Sequence, residues 1–296
     1  MQKAKHLLFV IHGARSELPG VRHVVQWVRE KGHVVDPRIT WERGDATRFA
    51  ADGVARGVDV VVAFGGDGTV NEVVNGLTGS DVPLGIVPLG TANDFARQAD
   101  IPLDTDHAMD VILRKAPVRI DTAELNGHRF LNVSTAGVGA EATAETPADA
   151  KEALGALAYA ITGVRKLADL TPTRARIEAP DTVLDVEFLV LAVGNTRTTG
   201  GGTMLTPRAS VTDGLLDVCL IEPRAARDLA RLALRFRRGE HVDAPGVHYL
   251  QVPWLRVLPD RVITVNVDGE PQESRALHYK ARPGDLLVHV GRMPGT

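Results

Sequence analysis

Short apolar runs alternate with helically spaced apolar residues along the first 120 residues. Leu7, Leu8, Phe9, Val10 and Ile11 form one run. Val21, Val24, Val25 and Val28 then recur at helical spacing up to Gly32, and His33-Val34-Val35 leads to Ile39-Thr40. A third run, 58–64, enters Gly65-Gly66-Asp67-Gly68-Thr69. Val70, Val73, Val74 and Leu77 supply another helical face, and Leu84-Gly85-Ile86-Val87 another strand. Runs separated by helical patterns are βαβ units, so the pattern predicts a doubly wound parallel sheet. In such sheets ligands sit beyond the carboxyl ends of the strands, where Thr40, residues 65–69 and residues 90–94 would all lie.

From about residue 118 the pattern changes. Val118-Arg119-Ile120-Asp121-Thr122-Ala123-Glu124-Leu125, the pair Asn126-Gly127 and then 130–134 read as a β-hairpin. Further β runs cover 183–193, 215–221, 254–258, 262–267 and 286–290, separated by turn-rich pieces such as Gly200-Gly201-Gly202. The expected fold class is an α/β doubly wound N-terminal domain over 1–120, followed by a β-rich, antiparallel, sandwich-like domain over 121–296. The last residues of that second domain are able to return to the first. A chain of 296 residues exceeds the usual size of one core, which agrees with two domains. A helical apolar spacing over 153–170 reads as core packing.

Composition narrows the function. A formal net charge of −3 gives no global field for nucleic acid, and 4% aromatic residues leave few stacking platforms, so no nucleic-acid partner is expected. The single cysteine, Cys219, excludes an internal disulfide and reads as a buried thiol. The basic start before Leu7 is followed by too few apolar residues for a secretory signal, and no window approaches 18 apolar residues, so the expectation is a cytoplasmic protein.

The candidate chemistry lies in the glycine turn after the third run. Glycines let backbone N–H groups approach phosphate oxygens, and a helix starting near Gly68 points its positive end at the same anion. No Lys-Ser/Thr pair follows, and Gly65-Gly66-Asp67-Gly68 lacks the dinucleotide spacing, so neither a Walker loop nor a Rossmann fingerprint is present. A carboxylate at Asp67 repels phosphate unless a Mg²⁺ or a hydrogen-bond network intervenes, which favours a metal–nucleotide complex. A tight turn with Asp67 as helix N-cap accounts for the same residues. A second turn, Pro88-Leu89-Gly90-Thr91-Ala92-Asn93-Asp94-Phe95-Ala96, offers Thr91 and Asn93 as hydrogen-bonding groups for phosphate or ribose, with Asp94 placed to cap the next helix.

These two turns together resemble the diacylglycerol kinase catalytic-domain family of lipid kinases, and specifically its bacterial YegS-type members. The resemblance continues through Thr40-Trp41-Glu42-Arg43-Gly44-Asp45-Ala46, Glu145-Thr146-Pro147, Gly200-Gly201-Gly202, Asp213-Gly214-Leu215-Leu216 and Val267-Asp268-Gly269-Glu270-Pro271. One departure is His12-Gly13-Ala14-Arg15, where the wider family often carries an Asn-Pro-x-Ser-Gly turn.

The resemblance implies that Thr40, Gly65, Gly66, Asp67, Gly68, Thr69, Val70, Asn71, Glu72, Gly90, Thr91 and Asn93 surround ATP. It also implies that Glu270 accepts the proton of a lipid hydroxyl attacking the γ-phosphate, with Asp67 as the second catalytic residue. From its residues alone, Asp268-Gly269 reads as a plain hairpin turn. The carboxylate of Asp213 with the main-chain carbonyls of Ser210 and Leu215 is expected to hold a Mg²⁺ or Ca²⁺, separate from the Mg²⁺ carried on ATP. The second domain is then the lipid side of a cleft.

Outside these motifs, Arg224, Arg227, Arg231, Arg235 and Arg238 recur at helical spacing opposite Leu229, Leu232, Ala233 and Phe236, a basic amphipathic helix suited to transient contact with the inner face of a membrane. The expected function is ATP-dependent phosphorylation of a lipid hydroxyl, diacylglycerol- or phosphatidylglycerol-like. Two other readings stand beside it. An NAD-kinase-type metabolite kinase is disfavoured by the second turn, and a nucleotide-regulated membrane-surface binder without turnover by the retention of Asp67, Thr91 and Glu270.

Overall fold

A computed structural model of the chain describes residues 4–137 and 171–292. The Glu145-Thr146-Pro147 motif and the helical pattern over 153–170 lie outside these residues. Two compact units emerge: Met1–Asp121 with Gly284–Thr296, and Thr122–Pro283.

In the first unit, β1 (His6–His12) pairs in parallel with β2 (Val34–Thr40) and β3 (Val60–Gly65), and β3 pairs in parallel with β4 (Leu84–Pro88). The order is β2-β1-β3-β4. Residues 7–11 and all of β3 and β4 are buried, which requires cover on both faces and explains their near-continuous apolar runs. That cover comes from α1 (Pro19–Glu30) with α5 (Thr105–Arg114), and α2 (Asp45–Ala55) with α3 (Asp67–Leu77), two packed pairs. The expected α/β doubly wound arrangement is therefore present.

The second unit is antiparallel. One sheet runs β14 (Val247–Val252), β13 (Leu216–Ile221), β10 (Val190–Gly194), β7 (Val133–Gly137), β16 (Ile263–Val267), β17 (Glu270–Ser274). Another contains β8 (Thr173–Ala179), β9 (Thr182–Phe188), β15 (Trp254–Pro259) and the first half of β18 (Leu277–Val288). Alternation sorts their side chains. Leu191, Val193, Leu216, Val218 and Leu220 share a core with Ile177, Leu255, Val257 and Tyr279 from the other sheet, which makes the sandwich. Val190, Ala192, Cys219 and Ile221 face the opposite way and pack with Leu229, Leu232 and Phe236 of α6 (Ala226–Phe236). Burial pushes the Cys219 thiol up to about 12.

Three sequence expectations are corrected. The run 183–193 is not one strand: Leu189 donates its N–H to the Ile221 carbonyl at 2.8 Å, and the chain passes from β9 in one sheet to β10 in the other. The Asn126-Gly127 turn joins β5 (Val118–Leu125) to β6 (His128–Phe130), with φ of 49° and 92°, but the following strand breaks at Leu131-Asn132. Those two N–H groups turn to the Asp268 carboxylate, at 2.9 and 3.1 Å. Of the run 286–290 only 286–288 are strand, the end of β18, which begins at Leu277 with buried Leu277 and Tyr279 alternating with exposed His278 and Lys280.

Candidate functional site

The carboxyl ends of β1, β2, β3 and β4 carry the candidate residues of the first unit. With the order β2-β1-β3-β4, successive connections leave β1 in opposite directions, so the switch point lies between β1 and β3. β3 ends at Gly65, Gly66 is the extended N-cap of α3 with φ −93°, and Asp67 opens the helix. The N-cap reading of Asp67 is thereby corrected. Its Oδ1 instead accepts from the Phe95 N–H at 3.4 Å, in the first turn of α4 (Asp94–Gln98). The first turn of α3 directs its backbone N–H groups, and the positive end of its dipole, into the loop region.

The two glycine turns lie backbone on backbone. Leu89 donates its N–H to the Gly65 carbonyl at 2.9 Å, and a Cβ placed on Gly90 would stand 2.5 Å from Gly66 Cα. No other residue type permits that approach. Thr91 is exposed at the crest of the second turn. Asn93, not Asp94, is the N-cap of α4, in the left-handed region with φ 49°, while Asp94 is buried as the first helical residue. Asn93 Oδ1 accepts from the Gly90 N–H at 3.1 Å and Nδ2 donates to the Gly90 carbonyl at 2.7 Å. Its side chain therefore shapes the turn from within.

Three further residues serve the scaffold. Thr69 and Val70 are buried, and Thr69 packs so closely on Gly65 that a Cβ there would collide with it, so both can face a ligand only through the main chain. Glu72, the last residue of the expected nucleotide loop, ties two helices together: its Oε2 accepts from the Ala46 N–H at 3.1 Å and its carbonyl from the Thr47 hydroxyl at 2.9 Å. Asn71 has a buried Oδ1 with no hydrogen-bond partner among the described residues.

Thr40 ends β2, and its Oγ1 accepts from the Gly13 N–H at 3.2 Å. A side chain on Gly13 would strike the Thr40 carbonyl, so the His12-Arg15 turn has a definite task of holding the ends of β1 and β2 together. Next in the chain, the Asp45 carboxylate accepts from the N–H groups of Trp41 at 2.7 Å and Glu42 at 3.1 Å, and it pairs with Arg48. Those backbone bonds hold its carboxyl below the usual range. They also fix a turn on which Trp41 stands 89% exposed. No sequence motif gives Trp41 a role. An aromatic residue next to a strand-end threonine, in a chain poor in aromatics, is the signal that could have found it.

The remaining candidates lie in the second unit. Glu270 opens β17, half-buried, and pairs with Val267 across Asp268-Gly269, whose φ values are 46° and 95°. The turn reading of Asp268-Gly269 is realised as a two-residue hairpin. It is also pinned: Asp268 holds the two N–H groups at Leu131-Asn132, and Gly269 donates its N–H to Asn266 Oδ1 at 2.9 Å. Asp213 is exposed, with Oδ1 accepting from the Leu215 N–H at 3.0 Å, and Ser210 Oγ lies 3.1 Å from Thr212 Oγ1. Nearby Asp217 is fully buried, bonded by the Tyr249 hydroxyl at 2.6 Å, and burial pushes its carboxyl up to about 6. Among the described residues no three His, Cys, Asp or Glu side chains form a metal cluster. The oxygen-only set of Asp213, Ser210 and Leu215 suits a hard cation held through one carboxylate.

Comparison with known proteins assigns this arrangement. The family model for the diacylglycerol kinase catalytic domain matches residues 6–125, and that for the YegS C-terminal NAD kinase beta sandwich-like domain matches 133–290. A Pseudomonas aeruginosa protein named "Probable lipid kinase YegS-like" is 42% identical, covering 98% of this chain and 95% of the relative. A protein of the same name from Xanthomonas oryzae pv. oryzae is 37% identical over 96% of each. Among solved structures, a diacylglycerol kinase from Bacillus anthracis str. Sterne shares the fold with a TM-score of 0.73 at 20% identity, over 98% of both chains. A second structure from that organism, named "A putative diacylglycerol kinase", reaches 0.81 at 24% identity, also over 98% of both. With both family models matching in order and relatives near 40% identity along almost the whole length, the chain belongs to the YegS-like lipid kinases of the diacylglycerol kinase catalytic-domain family.

Proposed function

We propose that this kinase transfers the γ-phosphate of MgATP to the hydroxyl of a membrane lipid, diacylglycerol- or phosphatidylglycerol-like. The observation that carries the donor half is the backbone-on-backbone contact of Gly66 and Gly90 beside the first turn of α3. It leaves main-chain N–H groups and a helix dipole, with no bulky side chain between them, to meet phosphate oxygens. Thr40 and Thr91 flank this cradle at the ends of β2 and β4. Bound with the nucleotide, Mg²⁺ supplies neutralisation of the charge on the transferring group.

In the reaction the lipid hydroxyl oxygen forms a bond to the γ-phosphorus while the bond from that phosphorus to the β,γ-bridging oxygen breaks, releasing ADP. Glu270 accepts the hydroxyl proton, a role supported by its match to the family motif and by the pinned hairpin that carries it. Asp67, tethered to the N–H of Phe95, is assigned to the loop that orients the nucleotide complex. Most of the acceleration then comes from positioning and charge neutralisation.

The deciding experiment follows labelled γ-phosphate from MgATP into a lipid panel in mixed micelles, with NAD as a parallel acceptor and Asp67→Ala as control. Labelling of one lipid, abolished by the substitution, is the expected result. Labelling of NAD alone overturns the lipid acceptor, and ATP binding without transfer overturns turnover.

Two smaller expectations arise from the same sites. Trp41 offers an exposed ring to the adenine base, so Trp41→Ala should raise the ATP KM about 5- to 150-fold, in line with roughly 1–3 kcal/mol for stacking a base on an aromatic ring, with little change in kcat. Quenching of tryptophan fluorescence by ATP, lost in the variant, checks this directly. The residues Asp213, Ser210 and Leu215 would hold a Mg²⁺ or Ca²⁺ that stiffens their turn, so Asp213→Ala should abolish the rise in melting temperature on adding divalent ions without nucleotide. A rise that survives the substitution removes the metal role. No helix among the described residues is long and apolar enough to cross a membrane. We place the enzyme in the cytoplasm, visiting the inner membrane face to meet its substrate.

A further inference from the structure

We infer that the outer face of α6 is a docking surface for anionic phospholipid membranes, with Leu234 as its inserting residue. The sequence shows the arginine spacing; the structure adds how the helix is held and what stands among the arginines. Leu229, Leu232 and Phe236 are buried against the six-stranded sheet, sharing a core with Val190, Ala192, Cys219 and Ile221. This fixes the rotation of the helix about its axis, and the opposite face is presented outward.

On that face the side chains of Arg227 and Arg231 are 81% and 78% exposed, and Arg235 and Arg238 are exposed as well. Leu234 is 78% exposed in their midst. At about 100° per residue it lies between the arginines one turn before and one turn after it, on the side opposite the buried residues. A core-facing helix gains nothing from a leucine there. A helix lying in a lipid interface does, because the apolar side chain enters the acyl boundary while the flanking guanidinium groups remain at headgroup level.

Charge selects the partner. Between residues 224 and 240 the chain carries six arginines against Asp228 and Glu240, in a protein whose formal net charge is −3. The only acidic side chain on the helix is Asp228, which stands 3.8 Å from Arg227 and 3.5 Å from Arg231. Such surface pairs are weak and leave the guanidinium groups available to phosphate. A basic, locally apolar strip matches a surface that is both anionic and apolar beneath, which a lipid leaflet is and a soluble polyanion is not.

The proposal deepens the lipid-acceptor reading and rests on it for its purpose, but its test needs no turnover. Full-length protein is sedimented with phosphatidylcholine vesicles, with and without phosphatidylglycerol, over a salt series. Binding is expected only with phosphatidylglycerol and is expected to weaken as salt rises. At roughly fivefold in partitioning for each basic residue near an anionic surface, Arg227→Glu with Arg231→Glu should lower binding at least about 20-fold. Leu234→Ser should lower it about tenfold.

Equal binding to both vesicle types, insensitivity to salt, or unchanged binding by the variants overturns the proposal. So does capture of RNA or polyglutamate by the arginine face with no vesicle binding. All three substitutions sit on the exposed side, so unchanged melting temperatures are expected to accompany the loss. Phosphorylation of micelle-dispersed lipid by the variants separates the two readings: transfer retained with vesicle binding lost supports docking through α6, whereas vesicle binding without any transfer by the unsubstituted protein counts against the lipid-acceptor reading alone.

Discussion

Glu270→Gln is expected to lower kcat by about 10²–10⁴-fold, the usual range for loss of a positioned general base, while leaving the ATP KM within about twofold. The amide matches the carboxylate in shape, so the pairing of Glu270 with Val267 across its two-residue turn is retained. What is lost is the ability to take a proton from the attacking hydroxyl. The ATP KM is expected to stay because the proposed nucleotide contacts, Thr40 and the two glycine turns, belong to the first unit, and Glu270 to the second. Steady-state kinetics with each substrate varied in turn check both halves. A fall in kcat smaller than about tenfold would remove Glu270 from the base role, and a large rise in the ATP KM would reassign it to binding.

Gly90→Ala is expected to reduce ATP affinity by about two orders of magnitude and to lower stability by about 1–3 kcal/mol, the range for overpacking a well-filled site. The added Cβ would lie 2.5 Å from Gly66 Cα and 2.9 Å from Asn93 Oδ1. Neither neighbour can yield cheaply. Gly66 is main chain at the start of α3, and Asn93 Oδ1 is held by the Gly90 N–H itself. Relief requires the two turns to separate, and separation would spread the N–H groups proposed to meet phosphate. Gly68→Ala serves as the control for stability, since a Cβ there meets nothing within 4 Å. Its unfolding free energy should stay within about 0.5 kcal/mol of the unsubstituted protein. Calorimetric ATP titration and thermal denaturation measure the two effects separately, and normal affinity in Gly90→Ala would show that the contact of the turns is incidental to binding.

The alternation of apolar runs with helical spacings made the first unit legible, because parallel strands covered on both faces are apolar throughout. Less could be read where a residue's role depends on a distant partner. Asn93 and Glu72 are plausible phosphate neighbours by position, yet their side chains are engaged with Gly90 and with the first turn of α2. No local pattern announces that the chain leaves one sheet for the other at Leu189, since the Ile221 carbonyl that receives its N–H is 32 residues away. β17, Glu-Pro-Gln-Glu-Ser, holds no apolar residue and is defined only by pairing with β16. β8 was legible in principle, because Thr173, Ala175, Ile177 and Ala179 are buried while Arg174 and Arg176 are exposed, a strict period of two. The position of Leu234 among the arginines needed the buried side of α6 to be known first.

The burial of Cys219 makes the protein chemically quiet. Its thiol is the only one in the chain, it is sealed between the six-stranded sheet and α6, and burial, which pushes its pKa up, keeps it as the unreactive thiol rather than the thiolate at neutral pH. Any cysteine introduced on the surface will therefore be the sole target of a maleimide dye or spin label, with no background thiol to delete. An environment-sensitive probe at Leu234→Cys or Trp41→Cys would report lipid insertion or nucleotide arrival in an otherwise unsubstituted chain.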